Sequence, residues 1–263
     1  MTTADRFIAF ANAISFTILI PILYPYGRQF GLSDLQTSFL FAIYAAAQFI
    51  STPIIGKLSD RFGRKPLLIL CLAGTVVANF LAGTASSAAI LFFARFLDGI
   101  TGGNVSVTQA ILSDITPPQQ RAKAFGLFGA VTFGLGFILG PLLSYISLRL
   151  KFPLGAGFLI SSAIALIALT LTLTTLPETL KTKAAKATQW WDIGLSNLIT
   201  GLAIPKIGIL LIINFLIGTT FTIFTFGFQP YFIHILHQNS EALTLLFAAL
   251  GVVSVVVQGK GIG

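Results

Sequence analysis

The chain of 263 residues is apolar at 55% of its positions and charged at only 9%, against about 25% charged residues in ordinary soluble domains. This composition argues against a soluble protein, and apolar stretches near the roughly 20 residues that a helix needs to cross a bilayer recur along the sequence. Because lipid cannot hydrogen-bond an exposed backbone, such stretches must be helices. The sequence therefore predicts an all-helical, multi-pass membrane protein whose surroundings are the lipid bilayer.

The formal net charge of +8 does not indicate nucleic-acid binding, because the bases lie between apolar stretches rather than on a folded basic surface. The single cysteine, Cys71, lies within an apolar run, and we interpret it as a packing residue. The sequence shows no phosphate-binding glycine loop, catalytic triad or metal-ligand cluster. We therefore expect no enzymatic activity, no cofactor and no bound metal.

Alternating apolar and polar segments predict eight membrane spans. Residues 1–176 form an amino-terminal half of six helices, residues 177–206 form a cytoplasmic loop, and residues 207–263 begin a second half with two helices. The spans are predicted at residues 7–26, 35–56, 66–84, 88–112, 122–147, 155–176, 207–230 and 242–258.

Lysines and arginines concentrate on one side of these predicted spans. If the amino terminus is inside, twelve of them face the cytoplasm and three face outward. Short cytoplasmic loops are enriched in Lys and Arg, so we predict this orientation. The twelve are Arg6, Lys57, Arg61, Arg64, Lys65, Arg121, Lys123, Lys181, Lys183, Lys186, Lys206 and Lys260, and the three are Arg28, Arg149 and Lys151.

Polar side chains share helical faces in three predicted spans. Asn12 lies on one face with Ser15 in the first span, and Tyr44 lies on one face with Gln48 in the second. Such groups either line a central substrate cavity or hydrogen-bond neighbouring helices, and the sequence leaves both interpretations open. Further members of these faces are Ser51 in the second span and Asn214, Thr222, Thr225 and Gln229 in the seventh.

The stretch GKLSDRFGRKP follows the second predicted span and holds five charged residues. Glycine permits a tight turn at which helix ends approach closely. A loop whose charge only sets the topology accounts for the bases but not for Asp60 among them. An acid among bases can instead form an ion pair that breaks and reforms. The residues of interest are Gly56, Asp60, Arg61, Gly63, Arg64 and Lys65.

This stretch resembles the signature loop of the major facilitator superfamily, Gly-x-Leu-x-Asp-Arg-x-Gly-Arg-Lys. The resemblance implies a helical transporter fold of that type, in which the first six helices form one rigid half. It also implies that Asp60 and the neighbouring arginines form a cytoplasmic gate, which opens and closes as the two halves rock about a central substrate site.

The fourth predicted span carries Arg95 and Asp98 at membrane depth. A basic residue there costs about 2.5 to 3.5 kcal/mol on insertion scales, so such residues usually face a bundle interior or a cavity. Gly102, Ser106 and Gln109 continue the same helical face. The segment resembles the Arg-x-x-x-Gly motif of drug/proton antiporters of the superfamily, whose arginine is implicated in proton coupling. The alternative is that Arg95 and Asp98 only neutralise each other.

The fifth predicted span contains GLGFILGPLLSYI. Gly136, Gly140 and Pro141 resemble the antiporter motif Gly-x-x-x-Gly-Pro-x-x-Gly-Gly, although Ser144 and Tyr145 replace its last two glycines. Small residues four apart also let helices pack closely in lipid. A packing role and a coupling role therefore both remain open for this span.

Across the first six predicted spans, the resemblance is to tetracycline/proton antiporters and their multidrug relatives. Those carriers place an acid in the first helix where this chain has Asn12, and the acid of their third helix is replaced in the region of Ala78 and Asn79. Asp98 is then the only acid within a predicted span. The resemblance implies proton-coupled export of a small molecule across a bacterial cytoplasmic membrane, with a small-molecule substrate and protons as partners.

The remaining features lie in and beyond the central loop. Trp190 and Trp191 beside basic residues are typical of a segment in the lipid headgroup region, or of a simple linker. His234 and His237 either sense pH, bind metal or belong to a solvated loop.

Only two helices of a second half are present in the sequence. Pro25-Tyr26 is echoed by Pro230-Tyr231, as parallel transporter repeats would give. The alternative to an active transporter is therefore a truncated membrane fragment, or a half-transporter that needs a second chain.

Overall fold

A computed structural model describes residues 14–180 and 195–260 of the chain, and these ranges are helical without any strand. Eight spans follow one another in them. Span 1 ends with the helix Ile20–Gln29, span 2 is Asp34–Phe62, span 3 is Arg64–Gly83, span 4 comprises Ala88–Thr101 and Asn104–Ile115, span 5 comprises Arg121–Gly129 and Gly136–Arg149, span 6 is Ala156–Thr175, span 7 is Pro205–Ile235 and span 8 is Ser240–Lys260.

Two further short helices lie between the spans. A 3₁₀ turn over Pro118–Gln120 follows span 4, and a short helix over Leu195–Ala203 precedes span 7. Three of the predicted features, Asn12, Trp190 and Trp191, lie outside the described residues. Within the described ranges, each predicted span overlaps a helical segment of the structure.

Span 2 extends further than its predicted end at residue 56. It begins at a capping box, in which the Ser33 hydroxyl accepts from the Gln36 amide at 3.2 Å and the Gln36 side chain accepts from the Ser33 amide at 2.9 Å. It then continues to Phe62, and Gly63 ends it with a φ of 118°, which side-chain-bearing residues rarely adopt. The predicted helix end at residue 56 is therefore wrong, because most of the motif is helix and the turn between spans 2 and 3 lies at Gly63.

Four spans depart from a regular α-helix, and span 7 does so in two π-helical segments, Ile223–Gly227 and Tyr231–Ile235. Span 1 has a turn at residues 18–19 just before Pro21, and span 4 has one at residues 102–103, where two glycines follow each other. Span 5 contains a π-helix over Ala130–Leu135. Four segments, Asp34–Phe62, Arg64–Gly83, Ala156–Thr175 and Pro205–Ile235, are long and apolar enough by themselves to cross a membrane.

The core of the bundle lies where spans 1, 3, 4 and 6 meet. Leu23, Leu91 and Phe158 are fully or almost fully buried in one apolar cluster there, and Leu72 and Ile111 are buried in a second. Exposed positions on the outside of the same spans are also apolar, for example Leu70, Phe80, Phe93 and Leu166. A bundle that is apolar on both its inside and its outside is typical of a protein whose surroundings are lipid.

Spans 7 and 8 pack against spans 1 and 5. The Gln229 side chain donates to the Ile20 carbonyl at 3.0 Å, and Gly251 lies against the backbone of Phe137. We call the end of the bundle that carries residues 60–65 the inner end, which the sequence predicts to face the cytoplasm, and we call the opposite end the outer end. These contacts lie between the middle of the bundle and the outer end.

Candidate functional site

Charged side chains gather at two places in spans 2 to 4. The inner-end cluster consists of Asp60, Arg64, Asp114 and Glu178. The membrane pair consists of Arg95 and Asp98, both on span 4.

Arg64 is the centre of the inner-end cluster. Its Nη1 lies 2.5 Å from Asp60 Oδ1, and its Nε lies 3.0 Å from Asp114 Oδ2. Its Nη1 also donates to the Ser59 hydroxyl at 2.6 Å. The Arg64 side chain is only 10% exposed, and a guanidinium that is withdrawn from water needs such partners. The cluster therefore joins span 2 to the first turn of span 3 and to the end of span 4.

Glu178 follows span 6 and contacts the cluster at the start of span 3. Its carboxylate accepts from the backbone amides of Arg64 at 3.0 Å and Lys65 at 3.2 Å, which are free donors at the start of span 3. Partial burial alone would raise its pKa. The backbone amides of Leu180, Arg64, Lys65 and Thr179 outweigh that effect and hold the pKa below its usual value. Glu178 is therefore a charged cap on span 3.

The contact with Glu178 also explains why residue 63 is a glycine. A Cβ atom at Gly63 would collide with the Glu178 carboxylate, in addition to the strain of its positive φ. Gly56 has no such requirement, because a Cβ atom there would meet no atom within 4 Å among the described residues. The two glycines of the motif thus differ, and only Gly63 permits a close approach.

The other predicted gate residues lie at the edge of the cluster. The Arg61 guanidinium lies 5.2 Å from the ring centre of Phe62, and Lys65 Nζ donates to the Leu173 carbonyl at 3.0 Å. The structure thus brings Asp60, Arg64 and Lys65 into contacts that join spans 2, 3, 4 and 6, whereas the contact of Arg61 with Phe62 lies within span 2. Within residues 14–180 and 195–260, none of the contacts named for this cluster involves spans 7 and 8.

Sequence reasoning missed two acids of this cluster. Asp114 lies in the last turn of span 4, and Glu178 belongs to the sequence Pro-Glu-Thr directly after span 6. The chain has only eight acidic residues, so an acid at the inner end of a span is a detectable signal. Which base each acid meets is not readable from sequence, because Glu178 is 114 positions away from its partner Arg64.

The membrane pair is buried in the middle of the bundle. Arg95 Nη1 lies 2.8 Å from Asp98 Oδ2, with side-chain exposures of 4% and 11%. The Arg95 guanidinium carbon lies 4.3 Å from the ring centre of Tyr44, a cation–π contact with span 2. The Nε of Arg95 has no hydrogen-bond partner among the described residues, which leaves one donor of a buried cation unused.

Span 2 is fixed against span 4 directly beside this pair. The Gln48 side chain donates to the Tyr44 hydroxyl at 3.1 Å and to the Gly102 carbonyl at 3.0 Å. The Ser51 hydroxyl donates to the Gly99 carbonyl at 3.0 Å. Gly99 and Gly102 leave no room for a Cβ atom, because the Tyr44 backbone and the Gln48 side chain occupy that space. Tyr44 is therefore held at the guanidinium by its own helix and by span 4.

The predicted cavity residues fall into three groups. Tyr44 and Gln48 are half-buried beside the membrane pair, and Ser106 is half-buried further along span 4. Ser15 and Gly102 are buried in contacts between helices instead, since Ser15 hydrogen-bonds the Ser161 carbonyl at 3.3 Å. These contacts agree with helix packing, which the sequence left open beside a place on a cavity wall. Gln109, Asn214 and Thr222 are exposed on spans 4 and 7, whereas Ser51, Thr225 and Gln229 are buried.

The turn in span 4 explains the position of Gln109. The prediction of a single polar face from Arg95 to Gln109 assumed a continuous helix. The backbone leaves the helix at residues 102–103, so the register of the second part is not that of the first. Arg95 and Asp98 are consequently buried, whereas Gln109 is exposed.

The glycine motif of span 5 packs against the interrupted part of span 1. The Thr17 hydroxyl donates to the Gly136 carbonyl at 2.7 Å, and the Ser144 hydroxyl donates to the Ile18 carbonyl at 2.5 Å. A Cβ atom at Gly140 would collide with Thr17 and with the backbone of Ile18. Gly136, Gly140 and Pro141, the last of them also buried, therefore form a close helix contact with span 1.

Comparison with known proteins gives a family match over almost the whole chain. The model of the Major Facilitator Superfamily matches residues 7–262. The tetracycline resistance protein, class B, of Escherichia coli is 40% identical over 139 residues, which are 52% of this chain and 34% of that protein. Multidrug resistance protein 1 of Bacillus subtilis is 34% identical over 166 residues, which are 61% of this chain and 41% of that protein.

A solved structure shares the fold. The human organic anion transporter MFSD10 has a TM-score of 0.76 and 22% sequence identity, and the match covers 98% of this chain and 70% of that one. In both curated relatives, by contrast, the matched segment is less than half of the relative's length. The likeness extends to the family and to the arrangement of helices.

Proposed function

Because the chain belongs to the Major Facilitator Superfamily, we propose that it acts as a transporter that exports a small molecule in exchange for protons. Membership confirms the predicted family and the predicted helical fold class, and the family consists of transporters rather than enzymes. The chain is accordingly a multi-pass membrane protein. Proton exchange, direction and substrate belong to the proposal.

The observation that carries proton coupling is the buried membrane pair. A carboxylate and a guanidinium at 2.8 Å inside an apolar bundle are together neutral, and this neutrality is what makes their burial tolerable. When Asp98 takes up a proton, the guanidinium of Arg95 loses its counter-charge. Arg95 is then held mainly by the ring of Tyr44. Protonation therefore changes the forces between span 4 and span 2.

Span 2 connects this change to the inner end. Asp34–Phe62 is one uninterrupted helix that carries Tyr44 beside the membrane pair and Asp60 in the inner-end cluster. A force on Tyr44 therefore acts on the same rigid element that Arg64 holds at its other end. Alternating access follows in this proposal when spans 1–6 rock as a unit against the second half, with the inner-end cluster keeping spans 2, 3 and 4 together.

The proposed substrate is a small, lipophilic molecule. The half-buried side chains beside the membrane pair, Tyr44 and Gln48, are an aromatic and an amide group, which suit an apolar molecule with a few polar groups. The names of the two curated relatives, tetracycline resistance and multidrug resistance proteins, agree with such a substrate. We place the protein in a bacterial cytoplasmic membrane with its amino terminus inside.

The decisive experiment removes the proton site without removing the hydrogen bond. We expect Asp98→Asn in inverted vesicles to abolish the uptake of tetracycline or ethidium that is driven by a pH gradient, while exchange driven by a substrate gradient continues. Glu241→Gln, an acid at the outer end of span 8, is the matched control and should transport normally. Uptake by Asp98→Asn that is driven by the pH gradient at the wild-type rate would exclude Asp98 as the coupling residue.

A further inference from the structure

Three polar side chains meet at the outer end, and they come from both parts of the bundle. Tyr24 lies in span 1, Asp34 is the first residue of span 2, and His234 lies in the last turn of span 7. The Tyr24 hydroxyl lies 2.6 Å from Asp34 Oδ1 and 2.8 Å from His234 Nε2. His234 Nε2 is in turn 3.7 Å from the same carboxylate oxygen. We call these residues the outer triad.

The hydrogen bonds of the outer triad fix which nitrogen of the histidine carries a proton. The Tyr24 hydroxyl has a single proton, and it donates that proton to Asp34. The contact with Tyr24 therefore requires His234 Nε2 to be the donor. A neutral ring with its proton on Nε2 and a doubly protonated ring both meet this requirement. The bond to Tyr24 thus persists in either state, and only the charge on His234 changes.

The charge of His234 matters because Asp34 lies so close to it. Tyr24 is 2% exposed, whereas the side chains of Asp34 and His234 are 52% and 45% exposed, so protons from outside water have direct access. Arg28 of span 1 contacts the same carboxylate, with its Nη1 3.4 Å from Asp34 Oδ1. A protonated His234 ring therefore adds a second cation beside Asp34, next to the Arg28 guanidinium.

The neighbouring elements contribute one more pair of charges. Arg149 at the end of span 5 lies 3.7 Å from Glu241 at the start of span 8, the span that packs on the last turn of span 7. This pair is neutral as a whole, and His237 follows His234 by three positions outside the triad. The titratable group that faces Asp34 from the second part of the bundle is therefore His234.

Span 7 packs on span 1 at the outer end, and a positive charge on His234 would strengthen this contact. The His234 ring meets the Tyr24 ring edge to face at 6.2 Å, and one turn further in Gln229 donates to the Ile20 carbonyl. Among the described residues, the outer triad supplies a charge-dependent contact between spans 1 and 2 on one side and span 7 on the other.

We propose that the outer triad is a proton-binding site, separate from Asp98, whose occupation holds the outer end of span 7 against spans 1 and 2. The ligand is a proton taken from the outer solution by His234 Nδ1. A protonated His234 ring attracts the Asp34 carboxylate across the contact between span 7 and spans 1 and 2, so docking is favoured when the ring carries a charge. Docking weakens when the ring is neutral.

The test measures the distance between the outer ends of spans 1 and 7 in the full chain in lipid nanodiscs. Paramagnetic labels are attached at Gln29→Cys and Gln238→Cys, two exposed positions that flank the triad, after Cys71→Ser removes the buried native thiol. We expect the ratio of the docked to the undocked population, read from the distance distribution, to rise about two- to fivefold between about pH 8 and about pH 5.5. A change of this size corresponds to the strength of an exposed ion pair.

Two histidine variants separate charge from hydrogen bonding. His234→Gln keeps an N–H donor for Tyr24 without a titratable charge, so its distances should not depend on pH. His237→Gln, the matched control, should respond as the parent does. A parent protein without a pH response, or a full response in His234→Gln, would refute the proposal.

A third variant makes the outcome independent of proton coupling in the membrane. We expect Asp98→Asn to keep the pH response of the labels, because the proton binds at the outer end. Loss of the response in Asp98→Asn would assign it to the membrane pair and refute the outer site. Since no transport is measured, the proposed export function can fail without affecting this result.

Discussion

The inner-end cluster and the membrane pair use the same two kinds of side chain in opposite ways. In the inner-end cluster, Arg64 has two carboxylates and a hydroxyl as partners, and part of the cluster is open to water. In the membrane pair, Arg95 has one carboxylate and one aromatic ring. An arginine with several partners tolerates the loss of one, whereas an arginine with one partner does not. The first arrangement is suited to holding helices together and the second to responding to a single proton.

The largest effect is expected where the partner is unique. Asp98→Ala leaves the buried guanidinium of Arg95 without a counter-charge, and removing one partner of a buried pair costs about 3 to 5 kcal/mol. We expect the free energy of unfolding in bicelles to fall by that amount. The double variant Arg95→Gln with Asp98→Asn should recover most of the loss, since it leaves no buried charge. Equal stability of Asp98→Ala and the parent would show that water reaches the pair.

A smaller effect is expected from the turn that ends span 2. Gly63→Ala places a side chain at a φ of 118° and against the Glu178 carboxylate, and strain of this kind costs about 1 to 3 kcal/mol. Gly56→Ala is the matched control, because its Cβ atom meets open space inside a helix, where alanine is favoured. Thermal unfolding of the two variants should therefore shift in opposite directions, or in the control not at all. A loss in both would contradict the distinction between the two glycines.

The smallest effect is expected from the cap on span 3. Glu178→Gln keeps an acceptor but loses the charge near the helix start, which is worth about 0.3 to 1 kcal/mol. Because the folded protein holds the pKa of Glu178 below its usual value, the stabilisation is present at neutral pH and is lost as the pH falls through the lowered pKa. Unfolding followed from neutral to acidic pH should show this loss in the parent, and Glu178→Gln should lack that component.

Hydropathy predicted the spans but not where their helices end. The second span was predicted to stop at residue 56 because charged residues begin there, yet a helix can leave the membrane and continue into water to Phe62. Hydropathy measures contact with lipid, whereas the end of a helix depends on backbone conformation, here the positive φ of Gly63. The same difference explains the unforeseen turn in span 4.

The candidate site was predicted where its members are close in sequence. Arg95 and Asp98 are one turn apart, so their pairing follows from helix geometry alone. Tyr44 and Glu178 join their partners only through the packing of distant helices, which a single sequence does not encode in a readable form. The role of Ser144 was missed for the same reason, since its partner is 126 positions away.

The hydroxyl of Ser144 has a mechanical consequence for the first span. Pro21 cannot donate a backbone proton, and the amide of Ile22 turns to the Leu19 carbonyl, so the Ile18 carbonyl is satisfied from outside its own helix. The first span therefore has no backbone hydrogen bond from Ile22 to Ile18 that bending at residues 18–19 would break. Ser144, at a position where the resembled antiporter motif has a glycine, thereby supplies to the Ile18 carbonyl the hydrogen bond that the first span does not provide.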